Sequence, residues 1–131
     1  MRDTLAGIRV LVVEDHSDSR DILEQMLRFC GAVVSTASTA VDALAAVPLA
    51  DIIVTDFALP PAEDGVWLLE QVNQLPRRIP VVLVSGFSEH HDERLAAAPF
   101  ALKLLKPIEP EKLCEEIARV LRRSDQPQQS P

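Results

Sequence analysis

Short unbroken apolar runs alternate along the chain with longer segments in which apolar residues recur every three or four positions. Arg9–Val13 predicts a strand. The helix after it, from Asp18 to Cys30, sets Ile22, Leu23, Met26, Leu27 and Cys30 on one face. Ser17 or Asp18 can cap that helix, and Gly31 stands where a left-handed residue is wanted after its last turn. The β-branched stretch Ala32–Ala37 predicts a second strand, followed by a helix from Thr39 to Val47. Ile52–Thr55 predicts a third strand, and the loop FALPPAEDG beyond it is too rich in Pro and Gly to be regular. Val66–Gln74 has helical spacing, Val81–Val84 predicts a fourth strand, and Glu89–Ala97 a short helix stopped before Pro99. Ala101–Leu105 predicts the fifth strand. Pro110 suits the first turn of a last helix reaching Arg123, with Leu113, Ile117, Val120 and Leu121 as its apolar stripe.

Five strand–helix units with continuously apolar strands predict a doubly wound α/β fold, a parallel sheet covered by helices on both faces. The length of 131 residues suits one domain, expected over residues 1–123, with the polar stretch 124–131 (SDQPQQSP) as a disordered tail. A net charge of −7 argues against a nucleic-acid-binding surface and leaves room for a cation or a basic partner. The N-terminus lacks a secretory pattern and no apolar stretch is long enough to span a bilayer, so a cytoplasmic, membrane-free protein is expected. Cys30 and Cys114 form no metal-spaced pair and are expected to be thiols packed in helices.

The chemistry concentrates where strands end. In VLVVEDHSDSR an apolar strand runs straight into Glu14 and Asp15. Two such charges ~4 Å apart repel by about 4 kcal/mol at a surface-like dielectric, and a bound cation is the simplest offset. Open α/β sheets bind ligands beyond the carboxyl ends of their strands. Asp56 follows the third strand, Ser85 the fourth and Lys106 the fifth, so a sheet ordered 2-1-3-4-5 would bring three carboxylates, a hydroxyl and an ammonium to one edge. Hard oxygen ligands suit Mg²⁺, which can neutralise a phosphoryl group moving to or from a carboxylate. Lys106 and Ser85 can hold phosphoryl oxygens, and Asp56 is best placed as the nucleophile.

Taken together, VEDHSDSR, then D56-F-A-L-P, S85-G and K106-P107, at intervals of 41 residues from Asp15 to Asp56, 29 from Asp56 to Ser85 and 21 from Ser85 to Lys106, resemble the receiver domain of two-component response regulators, from about Arg9 to Arg123. The resemblance implies a five-stranded flavodoxin-like fold and Mg²⁺-dependent phosphorylation of Asp56 by a histidine kinase or histidine phosphotransfer protein, with Mn²⁺ as a substitute ion. It assigns the metal to Asp15, Asp56 and the Ala58 main-chain carbonyl, with Glu14 helping, and the phosphoryl group to Ser85 and Lys106. It also implies a cis Lys106–Pro107 bond, a minority state of about 5–6% for X-Pro bonds in folded proteins. The domain would signal through an output protein or a phosphorelay and would not be an enzyme in its own right.

Several positions depart from the family pattern. Lys103 stands where an aromatic residue is usual. It reads as an exposed lysine on an edge strand, or else as a sign that the usual switch is absent or rerouted through Phe100 or Phe87. The loop after Asp56 has one extra residue before Gly65, and Asp64 reads as a helix start rather than a metal ligand. Neither Ala58 nor Phe87 can orient an attacking water. Slow phospho-aspartate hydrolysis is therefore expected if Phe87 covers the site, and not if it packs away. His90 and His91, adjacent on a helix, point some 100° apart and make no joint ligand set. Trp67 reads as a packing residue.

Three rivals are weaker. An aspartyl-intermediate phosphatase would want an acid/base carboxylate where Ala58 stands, and a flavin site would not place Glu14 and Asp15 beside a phosphate. A pseudo-receiver that only binds proteins is the remaining alternative. No conventional DNA-binding segment is seen in the chain, and the short polar helix EHHDERLAAA predicts a monomer before phosphorylation.

Overall fold

Strands that must be apolar on both sides have no room for alternation, and β3 (Ile52–Asp56) and β4 (Val81–Ser85) are buried at every position. The computed structural model describes residues 3–59, 63–86, 89 and 92–125. Beside β3 and β4 it contains β1 (Arg9–Val13), β2 (Val33–Ala37) and β5 (Leu102–Leu105). The helices are α1 (Ser17–Phe29), α2 (Ala40–Ala46, followed by a 3₁₀ turn at Val47–Leu49), α3 (Gly65–Asn73), α4 (Glu93–Ala97) and α5 (Pro110–Asp125). The sheet is parallel throughout, in the order β2-β1-β3-β4-β5, as the sequence predicts.

Alternate strand residues feed two cores. On one face Leu11, Val13, Ile53, Val81 and Leu83 meet Ala43 of α2, Leu68 and Val72 of α3 and Leu95 of α4. On the other, Val10, Val12, Ile52, Val54 and Val82 meet Leu27 of α1 and Leu113 and Ile117 of α5. Cys30 and Cys114 are free, buried thiols in this second core, and Trp67 packs against the first.

Helix ends account for most differences from the sequence reading. Neither Ser17 nor Asp18 caps α1. Its N-cap is His16, whose side chain makes no capping bond. Gly31 takes the left-handed conformation after that helix, at φ 96°. Thr39 and Asp64 cap α2 and α3 by accepting from the backbone N–H of Asp42 and Trp67. α4 begins at Glu93 rather than Glu89, because the Asp92 carboxylate accepts from the N–H groups of Arg94 and Leu95 and starts the helix there. α5 continues two residues past Arg123. Residues 126–131 of the expected tail lie outside the described residues, as do Pro60, Pro61, His90 and His91.

The chain returns from β3 to α3 through a tight contact. Gly65 N–H donates to the Phe57 carbonyl at 2.8 Å, and a Cβ on Gly65 would stand 2.6 Å from the Asp56 carbonyl oxygen. Backbone, not a flexible side chain, fills that space. Gly65→Ala is therefore expected to lower unfolding free energy by about 2 kcal/mol through overpacking, read as a shift in urea midpoint at constant m-value. A variant as stable as the parent would mean that the β3–α3 turn can yield at no cost.

Candidate functional site

The parallel register delivers the carboxyl ends of β1, β3, β4 and β5 to one edge. Glu14, just past β1, is held by its own backbone. Its N–H donates to the Ala37 carbonyl at 3.0 Å, and its carbonyl accepts from Arg20 Nη1 at 3.1 Å. The carboxylate is buried, with Oε2 accepting from the His16 N–H at 3.3 Å and Oε1 standing 3.5 Å from Lys106 Nζ. Asp56, the last residue of β3, is also buried. Its Oδ2 accepts from Lys106 Nζ at 2.9 Å and its Oδ1 from the Phe57 N–H at 2.8 Å. Thr55 Oγ1 donates to the Asp56 carbonyl at 2.9 Å and fixes the peptide plane beneath it.

Lys106 reaches both acids because its backbone is tied to β4: its N–H donates to the Ser85 carbonyl at 2.8 Å. The Lys106–Pro107 peptide is cis. Ser85 is fully buried, and its hydroxyl has no hydrogen-bond partner among the described residues. Asp15 Oδ1 is likewise shielded from solvent and accepts no aligned hydrogen bond, although His16 Nδ1 lies 3.3 Å away. Two orphaned polar atoms beside three carboxylates are the mark of a site built for something else to complete.

The electrostatics agree. Burial first, then the field of Asp56, pushes the Glu14 carboxyl above the usual glutamate range, against the pull of the His16 N–H and Lys106. Burial alone would lower Lys106. The hydrogen bond it donates to Asp56 and the charges of Asp56 and Glu14 outweigh that effect and raise the ammonium above the ordinary lysine value. One ammonium thus contacts two of the three carboxylates at this edge, an excess of negative charge that hard divalent cations answer with oxygen coordination.

Asp15, Asp56, Ala58 and Lys106 line a cleft of about 450 Å³, joined by His16 and Glu89, which the sequence reading did not place there. His16 could have been suspected from its position directly after the acidic pair. Glu89 could not, because it fits a helix start equally well. Its Oε1 in fact accepts from the Gly86 N–H at 2.8 Å and closes the turn after β4. Lys103 is not simply exposed. It is half-buried on β5, and its Nζ donates to the Ala96 carbonyl of α4 at 3.1 Å, away from the cleft. Asp64 likewise stands off, capping α3 and pairing with both terminal nitrogens of Arg94. Phe87 lies outside the described residues. A larger cavity, about 620 Å³, opens at the amino ends of β4 and β5, but no carboxylate lines it. Its Arg77 is spent on the Pro48 and Ala50 carbonyls.

Comparison with known proteins points the same way. A family model described as the response regulator receiver domain matches residues 10–118. The chain is 35% identical over 115 residues to an uncharacterized 14.6 kDa protein in the sodA1 3′ region of Leptolyngbya boryana, covering 84% of this chain and 87% of that one. It is also 35% identical over 119 residues to the transcriptional regulatory protein PrrA of Mycobacterium leprae, covering 88% of this chain but spanning only 50% of that regulator. Among solved structures, a CheY-like receiver domain protein from Methanospirillum hungatei superposes with a TM-score of 0.80 at 28% identity, over 92% of this chain and 98% of that one. The receiver domain of the sensor histidine kinase PA1611 from Pseudomonas aeruginosa, which carries a magnesium ion in its active-site cleft, superposes with a TM-score of 0.81 at 25% identity, over 89% and 99% of the two chains. A sheet ordered 2-1-3-4-5, an acidic edge and a family match across most of its length leave one conclusion: the chain belongs to the response regulator receiver domains of two-component systems.

Proposed function

We propose that this chain accepts a phosphoryl group on Asp56 from the phosphohistidine of a histidine kinase or histidine phosphotransfer protein. The observation that carries this reading is Lys106 Nζ, 2.9 Å from Asp56 Oδ2, with the buried Ser85 hydroxyl at the end of the neighbouring strand left without a partner among the described residues. An Asp56 carboxylate oxygen attacks phosphorus as the bond to the donor imidazole breaks. The electron pair returns to that imidazole nitrogen, which takes a proton. Lys106 releases the carboxylate and follows the charge onto a phosphoryl oxygen, and Ser85 supplies the donor to another.

The residues present fit a hard divalent cation: Asp15, Asp56 and the Ala58 main-chain carbonyl would hold it, with Glu14 assisting. Mg²⁺ is the natural ion and Mn²⁺ a workable substitute. Such an ion supplies charge neutralisation for the crowded carboxylates and the incoming phosphoryl group. Ala58 lines the cleft with a methyl group, so this side chain provides no base to orient a hydrolytic water. The phospho-aspartate is long-lived if Phe87 covers the site and not if it packs away. The phosphorylated state is read by an output protein or passed along a phosphorelay from a chain that is monomeric beforehand. The role is that of a signalling domain, without contact to nucleic acid or membrane. Among the described residues no helix is long and apolar enough to cross a membrane.

Acetyl phosphate with Mg²⁺ is expected to add one phosphoryl group to the intact mass. None is expected for Asp56→Asn or in the presence of EDTA, and a domain kept for protein binding alone would take up none under any condition.

Glu14 yields a second prediction, because its carboxyl titrates higher in the folded than in the unfolded chain. The stability linked to its protonated form is fully present below the ordinary glutamate range and is lost as pH rises through the raised folded value. In metal-free buffer, Glu14→Gln should therefore be more stable than the parent above that window, by chemical denaturation, and saturating Mg²⁺ should favour the parent. An offset independent of pH and of Mg²⁺ would contradict the charge crowding.

A further inference from the structure

We infer that the His16 imidazole is a ligand of the cation held in this cleft, a nitrogen donor that adds affinity for imidazole-binding divalent ions and leaves that for Mg²⁺ to the oxygen ligands. The inference rests on the reading of the cleft as a cation site and adds a residue to it.

His16 occupies the N-cap of α1, where Ser, Thr, Asp or Asn would satisfy free helix amides. Its side chain makes no such bond. The ring turns back over the acidic pair instead, with Nδ1 3.3 Å from Asp15 Oδ1 and 3.6 Å from Glu14 Oε2. One donor atom from each of the three residues lies within 4.8 Å of the others. Metal–ligand bonds of about 2.1 Å put neighbouring donor atoms roughly 3.0 Å apart in an octahedron and roughly 3.4 Å apart in a tetrahedron. The Asp15 distance lies between those two spacings and the Glu14 distance just above them, so the ring stands where a ligand sharing an ion with either carboxylate would stand.

Two further observations point to a missing occupant. Asp15 Oδ1 is closed off from solvent and accepts no hydrogen bond from a described residue, even with Nδ1 so near. The fully buried Ser85 hydroxyl is equally unpartnered at the end of β4, on the same edge as Asp56. A solvent-exposed imidazole serving only as a counter-charge would contribute little, since exposed ion pairs are weak. As a ligand it changes the ion chosen. Oxygen donors alone suit Mg²⁺, whereas an imidazole nitrogen adds affinity for Co²⁺, Ni²⁺ and Zn²⁺ and almost none for Mg²⁺. The His16 side chain is 76% exposed, so replacing it leaves both cores untouched, and Asn restores a cap-competent residue.

The test is calorimetric titration of the metal-free full chain with Co²⁺ and, separately, with Mg²⁺, alongside the visible spectrum of the Co²⁺ complex. The parent should bind Co²⁺ more tightly than Mg²⁺. His16→Asn should lose on the order of tenfold in Co²⁺ affinity and change the Co²⁺ spectrum, while its Mg²⁺ affinity stays within about twofold. Asp15→Asn should lose both ions. If His16→Asn binds both ions as the parent does, or gains affinity for both, the ring is at most a counter-charge and the inference falls while the acidic site stands. A Co²⁺ loss seen with His90→Ala/His91→Ala and not with His16→Asn also overturns it. Should the parent bind neither ion, or Asp15→Asn bind both unchanged, the cation reading of the cleft falls with it.

Discussion

Lys106 Nζ stands between two buried carboxylates, 2.9 Å from Asp56 and 3.5 Å from Glu14, and the arrangement of the sheet edge follows from keeping it there. Without that ammonium, Asp56 and Glu14 would repel each other with only the Phe57 and His16 N–H groups to answer their charge, and removing one partner of such a cluster is costly. The lysine is placed by backbone, through the hydrogen bond from its N–H to the Ser85 carbonyl, and so by the pairing of β4 with β5. The chemistry at the edge is therefore as well positioned as the sheet itself. The same bond lets Lys106 and Ser85 register any movement at the other's backbone.

The two-sided core makes this possible. Because successive residues of each strand feed opposite helical layers, a slip of one register would send every apolar side chain to the wrong layer and displace the carboxylates together. Gly65 adds a steric limit on the β3–α3 connection, since its backbone packs against the Asp56 carbonyl. Further out, the Asp64–Arg94 pair joins the start of α3 to α4, and the Lys103–Ala96 hydrogen bond joins α4 to β5. α4 is only five residues long, too short to hold by its own hydrogen bonds, and depends on these ties and on the burial of Leu95.

What could be read from the residues was whatever local pattern determines. Unbroken apolar runs such as VLVV and VVLV specify strands buried on both faces, and hence a parallel sheet. Glu14, Asp15, Asp56 and Lys106 were legible because each lies at the carboxyl end of a strand, so topology alone brings them to one edge. Side-chain direction was not legible. Nothing in EDHSD indicates that His16 forgoes capping and folds back over the carboxylates, and nothing in the β5 sequence indicates that Lys103 finds a carbonyl on α4. The start of α4 is not legible because Glu89 and Asp92 both suit a first turn; the Glu89 carboxylate turns back to the Gly86 N–H, and Asp92 accepts from the Arg94 and Leu95 N–H groups ahead of it.

The two thiols in the second core have a bearing on how the molecule opens. Burial, then its neighbour Cys30, pushes the Cys114 thiol up to about 12, so at neutral pH it is not a nucleophile while the helices stay closed. Both sulfurs sit in the core that α1 and α5 share with the sheet. Alkylation of Cys114 must therefore wait for that layer to part, and its rate reads the opening of this half of the molecule rather than any property of the surface. The chain thus carries a built-in clock for the breathing of the face opposite α3 and α4, one that is read at a native thiol and without touching the acidic edge.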